Sequence, residues 1–124
     1  MSADLARDAL VLARAFARGA TLWCASPRTP HHAHHVAVEF VHPVVVGARA
    51  LPAVAADASV IARQATAPDV VVVIGPGCDV EFACPTIRLG DDDGSLYDGS
   101  VVRAYHVLWE LTQICLEHPG LLAA

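Results

Sequence analysis

The segment Asp69-Val-Val-Val-Val-Ile-Gly75 constrains the fold of this chain more than any other. Five consecutive apolar residues between an aspartate and a glycine fit a strand buried on both faces, the kind found at the centre of a parallel sheet covered by helices. Strand-like and helix-like segments alternate around it. Residues 2 to 18 read as a helix of good formers closed by Gly19, and Ala20 to Ala25 as a buried strand. Pro30 to His42 reads as a second helix, Leu51 to Ala56 as a strand and Asp57 to Ala67 as a short helix. Beyond the central run, Pro85 to Leu89 reads as a fourth strand and Gly99 to Glu117 as a last helix closed by His118-Pro119-Gly120. Between Gly75 and Cys84 there is little room for a crossover helix. The pattern predicts an α/β domain with a mainly parallel sheet.

With 124 residues, 55% of them hydrophobic, the chain is expected to form one domain, 1–124, with a core of its own. No apolar run is long enough to span a bilayer, and the N-terminus lacks the pattern of an export signal. A soluble cytoplasmic protein is expected. A net charge of -5 without a basic stripe argues against nucleic acid as a partner. All eight basic residues are arginine, which excludes a Schiff-base lysine, a P-loop lysine and attachment of pyridoxal phosphate through lysine. Cys24, Cys78, Cys84 and Cys115 contain no C-x-x-C pair and read as free, mostly buried thiols. Asp91 to Asp93 lack the distal glutamate of a calcium loop and read as a solvated turn.

The chemistry concentrates in Pro30-His-His-Ala-His-His-Val-Ala-Val-Glu-Phe-Val-His42. Thr29 and Pro30 suit a helix start, and Pro43 supplies a stop. Residues four apart project from nearly the same face, so His31, His35 and Glu39 fall in a row with His42 nearby. Imidazole and carboxylate in such a row can hold a divalent metal or move a proton. The residue types admit both.

Three stretches resemble the sugar-isomerase (SIS) domain, and within it the phosphoheptose isomerases that act on sedoheptulose 7-phosphate. Cys24 to Phe40 aligns without a gap to that family's C-G-N-G-G-S-A-A-D-A-Q-H-F-A-A-E-L, placing His35 and Glu39 on its histidine and glutamate. Arg49 to Ser59 is similar, with gaps, to R-x-A-L-P-A-I-A-L-T-T-D-T-S, and His106-Val-Leu-Trp-Glu-Leu111 to H-I-L-C-E-L on the last helix. The resemblance implies a three-layer, Rossmann-like sheet of about four strands with helices on both faces, shortened relative to the family. It also implies Glu39 as base and His106 as acid of an aldose-ketose isomerisation. Zinc, or another divalent transition metal, would be held by His35, Glu39, Asp98 and His106, with Asp98 in the place of a glutamine.

The chain departs from the family where substrate is anchored. The glycine-rich turn has become Ala25-Ser26-Pro27-Arg28-Thr29, and Gly75-Pro76-Gly77-Cys78-Asp79 stands where the family carries a serine-rich phosphate loop. Proline removes a donor and a β-carbon blocks close approach of backbone to phosphate. A helix-strand unit is missing, and the arginine expected four residues after the glutamate is Pro43. If the isomerase activity survives, Arg28, Thr29 and Asp57 are the substrate contacts. If it does not, the expectation is a metal-binding accessory or assembly protein, with a metalloenzyme or its maturation machinery as partner. Either way a homodimer or homotetramer through the first and last helices is expected, because the first helix carries a broad apolar face.

Overall fold

A computed structural model describes residues 2–45 and 47–123. Its elements in chain order are α1 (Ser2–Ala17), β1 (Leu22–Ala25), α2 (Pro30–Val41), β2 (Ala53–Ala55), α3 (Ala58–Gln64), β3 (Val70–Ile74), β4 (Thr86–Leu89), a 3₁₀ turn (Gly94–Leu96), α4 (Ser100–Glu117) and a short α5 (Pro119–Leu122). The four strands form one sheet in the order β2-β1-β3-β4, and every pairing is parallel. The expected α/β architecture is the one observed.

Alternation along the two central strands divides the core. Leu22 and Cys24 of β1 and Val70, Val72 and Ile74 of β3 face the larger core, built with α1, α2 and α4. Ala25, Val71 and Val73 face the other side, where Ile61 of α3 packs with Cys84, Cys78 and Phe82. Successive strand residues point to opposite faces, so a run apolar at every position belongs where both faces are covered. All five residues of β3 are buried. One face thus has three long helices, whereas the other has a seven-residue helix and a loop.

That loop settles how the fourth strand joins the sheet. Residues 75–85 carry the chain from β3 to β4 with no helix, and β4 lies directly beside β3, with Val72 opposite Ile87. Gly75 and Gly77 take positive φ values of 79° and 97°, a region glycine enters without steric cost. A β-carbon on Gly75 would stand 2.7 Å from Leu96 Cδ2, so the bare glycine lets the 3₁₀ turn settle against the end of β3. This contact fixes the Leu96 carbonyl, which serves the site described below.

Two helix boundaries differ from the sequence reading. Thr29 precedes α2 but makes no side-chain cap; its hydroxyl lies 2.8 Å from Ser26 Oγ, whose own hydrogen goes to the Thr29 carbonyl at 2.6 Å. The hydroxyl is consumed inside the Ser26–Thr29 turn, and Pro30 gives the helix its start. After α4 the chain does not simply stop at His118-Pro119-Gly120. Pro119 opens α5, whose Leu122 carbonyl accepts a hydrogen bond from Arg14 on α1.

Candidate metal centre

α2 and α4 pack side by side on the larger core, and the polar edge of their contact holds the histidines. Helical spacing puts His32, His35 and Glu39 on one side of α2, at i, i+3 and i+7. Tyr105 and His106 face them from α4. His35 Nε2 and His106 Nε2 lie 3.0 and 3.1 Å from the same oxygen, Glu39 Oε1. One ligand atom from each of the three residues falls within 4.8 Å of the others. The imidazoles are 42% and 43% exposed and the carboxylate 17%, so the group opens to solvent on one side.

A chain of hydrogen bonds runs inward from this group. His35 Nδ1 is 2.8 Å from the Tyr105 hydroxyl, which is 3.1 Å from His32 Nδ1; His32 Nε2 ends the chain 2.9 Å from the Leu96 carbonyl oxygen. His32 is buried. Burial, reinforced by the charge of Glu39, pushes the Tyr105 phenol up to about 12, so it keeps its proton. The rings are stacked edge to face, His35 against both Tyr105 and His106 at 5.2 Å between centroids and 80° between planes.

The hydrogens available along this chain fall one short at its outer end. The four contacts from Leu96 O through His32, Tyr105 and His35 to Glu39 each need one hydrogen. Neutral His32, Tyr105 and neutral His35 supply three. A carbonyl and a carboxylate close the two ends, and both only accept. With the buried contacts satisfied, the deficit falls between His35 Nε2 and Glu39 Oε1, where two lone pairs meet. A cation completes that contact, and either an added proton or a metal ion would serve.

The other expected site residues lie elsewhere. Asp98 is not part of the group: its carboxylate accepts the Ser100 amide at 2.8 Å ahead of α4, and the Ser100 hydroxyl and amide hold it below the usual carboxylate range. Asp98 precedes α4, and the six residues of helix from Ser100 to His106 alone rise about 9 Å, which sets its carboxylate apart from the group. Arg28 forms a forked pair with Asp93, both contacts 3.0 Å, on the surface. Thr29 is buried in its turn. Asp57 is exposed and lines a cleft of about 330 Å³ with Ser26, Pro27, Pro30, His34 and Val60, at the ends of β1 and β2. None of His35, Glu39 and His106 is in its walls. The structure therefore brings together three of the four expected metal ligands and both expected catalytic residues, and leaves the expected substrate contacts apart from them.

His31 and His42 do not join the group. The His31 ring lies 4.3 Å from that of His32 and is exposed, covering the buried imidazole from outside. Cys78 and Cys84 are free thiols in the smaller core; burial and the charge of Asp69 push the Cys84 thiol up. Sequence reasoning missed His32 and Tyr105 as site residues. His32 carried a signal, since it sits three residues before His35 on the same helical face. Tyr105 carried none, because a residue adjacent to His106 is turned away by about 100° in an ideal helix. Among the described residues, no helix is long and apolar enough to cross a membrane. Compared with known proteins, the chain matches no family model and no curated protein.

Proposed function

We propose that this protein binds a divalent transition metal through His35 Nε2, Glu39 Oε1 and His106 Nε2, and that it works as an accessory or assembly factor rather than as an isomerase. The carrying observation is the convergence of one ligand atom from each residue within 4.8 Å, with both Nε2 atoms beside Glu39 Oε1. Two imidazoles and a carboxylate suit zinc, whose three-ligand sites keep a fourth position for water or an incoming group. The half-exposed imidazoles leave that position open to solvent, where a donor from a partner protein could enter. A metal held this way is suited to being passed on or shared.

Three observations favour this reading over an aldose-ketose isomerase that resembles the phosphoheptose enzymes. Arg28 is committed to Asp93, the Thr29 hydroxyl to Ser26, and the cleft beside Asp57 does not contain the Glu39 and His106 pair. Remote binding energy from a phosphate would have nothing to position against the proposed base.

Tag-free protein should carry or take up one equivalent of zinc, and His35→Ala combined with His106→Ala should abolish it. Equal metal content in wild type and double variant would remove the metal site. Turnover of sedoheptulose 7-phosphate, lost in Glu39→Gln, would replace the accessory role with the isomerase.

A further inference from the structure

Resting on the metal-site reading, we infer that His32 and Tyr105 are positioning residues that hold His35 with its hydrogen on Nδ1, so that the Nε2 lone pair is the one presented to the metal. The direction of the hydrogen-bond chain is set from its buried end. The Leu96 carbonyl can only accept, so His32 Nε2 carries the hydrogen of that 2.9 Å contact. Neutral His32 then has a bare Nδ1, and Tyr105 must donate to it across 3.1 Å. A phenol has one hydrogen. Having given it to His32, Tyr105 can only accept from His35 Nδ1 at 2.8 Å.

His32 is 4% exposed, so water does not substitute for these partners. The edge-to-face contacts of His35 with Tyr105 and His106 hold the ring plane while the hydrogen bond selects the tautomer. Partners of this kind commonly set tenfold or larger differences in metal affinity without touching the ion. The bare Gly75 has a role here too. By admitting Leu96 against the end of β3, it places the carbonyl that starts the chain.

The two residues can be told apart by what their loss leaves behind. Tyr105→Phe keeps the ring contacts and removes the acceptor of His35 Nδ1, so both tautomers become accessible. His32→Leu does more harm. It frees the Tyr105 hydrogen to turn toward His35 Nδ1, which favours the opposite tautomer and puts a hydrogen where the metal should bind.

The test uses the full chain, with long-range proton–nitrogen spectra of the histidine rings and zinc titration against a competing chelator. In wild type, His35 Nδ1 should carry a hydrogen with or without zinc. Tyr105→Phe should weaken zinc binding about tenfold or more, and His32→Leu should weaken it further while moving the His35 hydrogen to Nε2. Wild-type protein with His35 Nδ1 bare or bound to zinc would overturn the inference, and that reading needs no variant to fold. So would two folded variants that bind zinc within twofold of wild type with the His35 tautomer unchanged. A wild type that binds no zinc yet carries the single hydrogen of neutral His35 on Nδ1, with Nε2 bare, would remove the metal site and uphold the positioning.

Discussion

Asp69, which bounds the central strand, accepts more hydrogen bonds than any other carboxylate described in the structure. Oδ1 takes the Thr21 amide at 2.9 Å; Oδ2 takes the Thr66 amide at 3.0 Å, the Thr66 hydroxyl at 3.1 Å and the Trp23 indole at 3.1 Å. Burial of the carboxylate works against its charge, but the donors from Thr66, Thr21 and Trp23 outweigh it and hold Asp69 below the usual aspartate range. The sign of the linkage follows. A carboxylate ionised more readily in the folded state contributes stability above its unfolded value, near 3.9, and loses it as pH falls through the lower folded value. Asp69→Asn should cost about 2 kcal/mol near neutral pH, since hydrogen bonds to a charged acceptor are lost, and the deficit should shrink in acid. Denaturant melts of both proteins across pH would show this as converging curves. Parallel curves would mean that the charge of Asp69 does not stabilise the fold. The buried Cys24 thiol shows the opposite effect, pushed up to about 12 by desolvation, which suits inert packing rather than chemistry.

Among the elements, those with internal periodicity were legible in the sequence. Val70 to Ile74 announced a central strand because every residue is apolar, and the histidine helix was bounded by two prolines that stereochemistry places outside a helix interior. The pairing of β4 with β3 was not legible, since nothing within Thr86–Leu89 states which neighbour its backbone will meet. The His32–Tyr105 contact was hidden for a related reason. It spans 73 residues and exists only because α2 and α4 dock at one particular rotation. Asp98 lies apart from His35, Glu39 and His106; its spacing to His106 was carried over from a resemblance, and in this chain the carboxylate is used ahead of α4. Another long-range contact holds the connection from α2 to β2. Gln113 of α4 is buried and brackets Arg49, accepting its amide at 3.3 Å and donating to its carbonyl at 3.0 Å, as a neighbouring strand would. Gln113→Ala should destabilise the protein by about 1–3 kcal/mol, because it leaves two backbone groups unpaired. Amide exchange should quicken at residues 47–51 ahead of the rest of the chain. Uniform quickening throughout would show that the bracket serves global stability instead.

At the scale of the whole molecule, the breadth of the apolar face on α1 has an explanation within one chain. Leu5, Ala9, Leu12, Ala13, Ala15 and Phe16 are all buried in the larger core, and Phe16 packs against Phe40 of α2 with ring centroids 5.7 Å apart. Because α1 packs along α4, reaches Phe40 of α2 through Phe16 and meets α5 through Arg14, its wide apolar perimeter is covered from several directions without a second copy. Self-association through α1 and α4 would have to use what remains outside that contact, such as Ile114, which is 42% exposed. Phe16→Asp therefore tests the core rather than a subunit boundary. Placing a carboxylate where an aromatic ring is 6% exposed combines the loss of a large side chain with the burial of an unpaired charge. The cost should exceed about 4 kcal/mol, a large share of the stability of a domain this size. The expected outcome is a protein that melts far below wild type or fails to stay soluble, measured by circular dichroism alongside sedimentation. A folded Phe16→Asp protein that sediments at a lower mass than wild type would place Phe16 in an interface between copies.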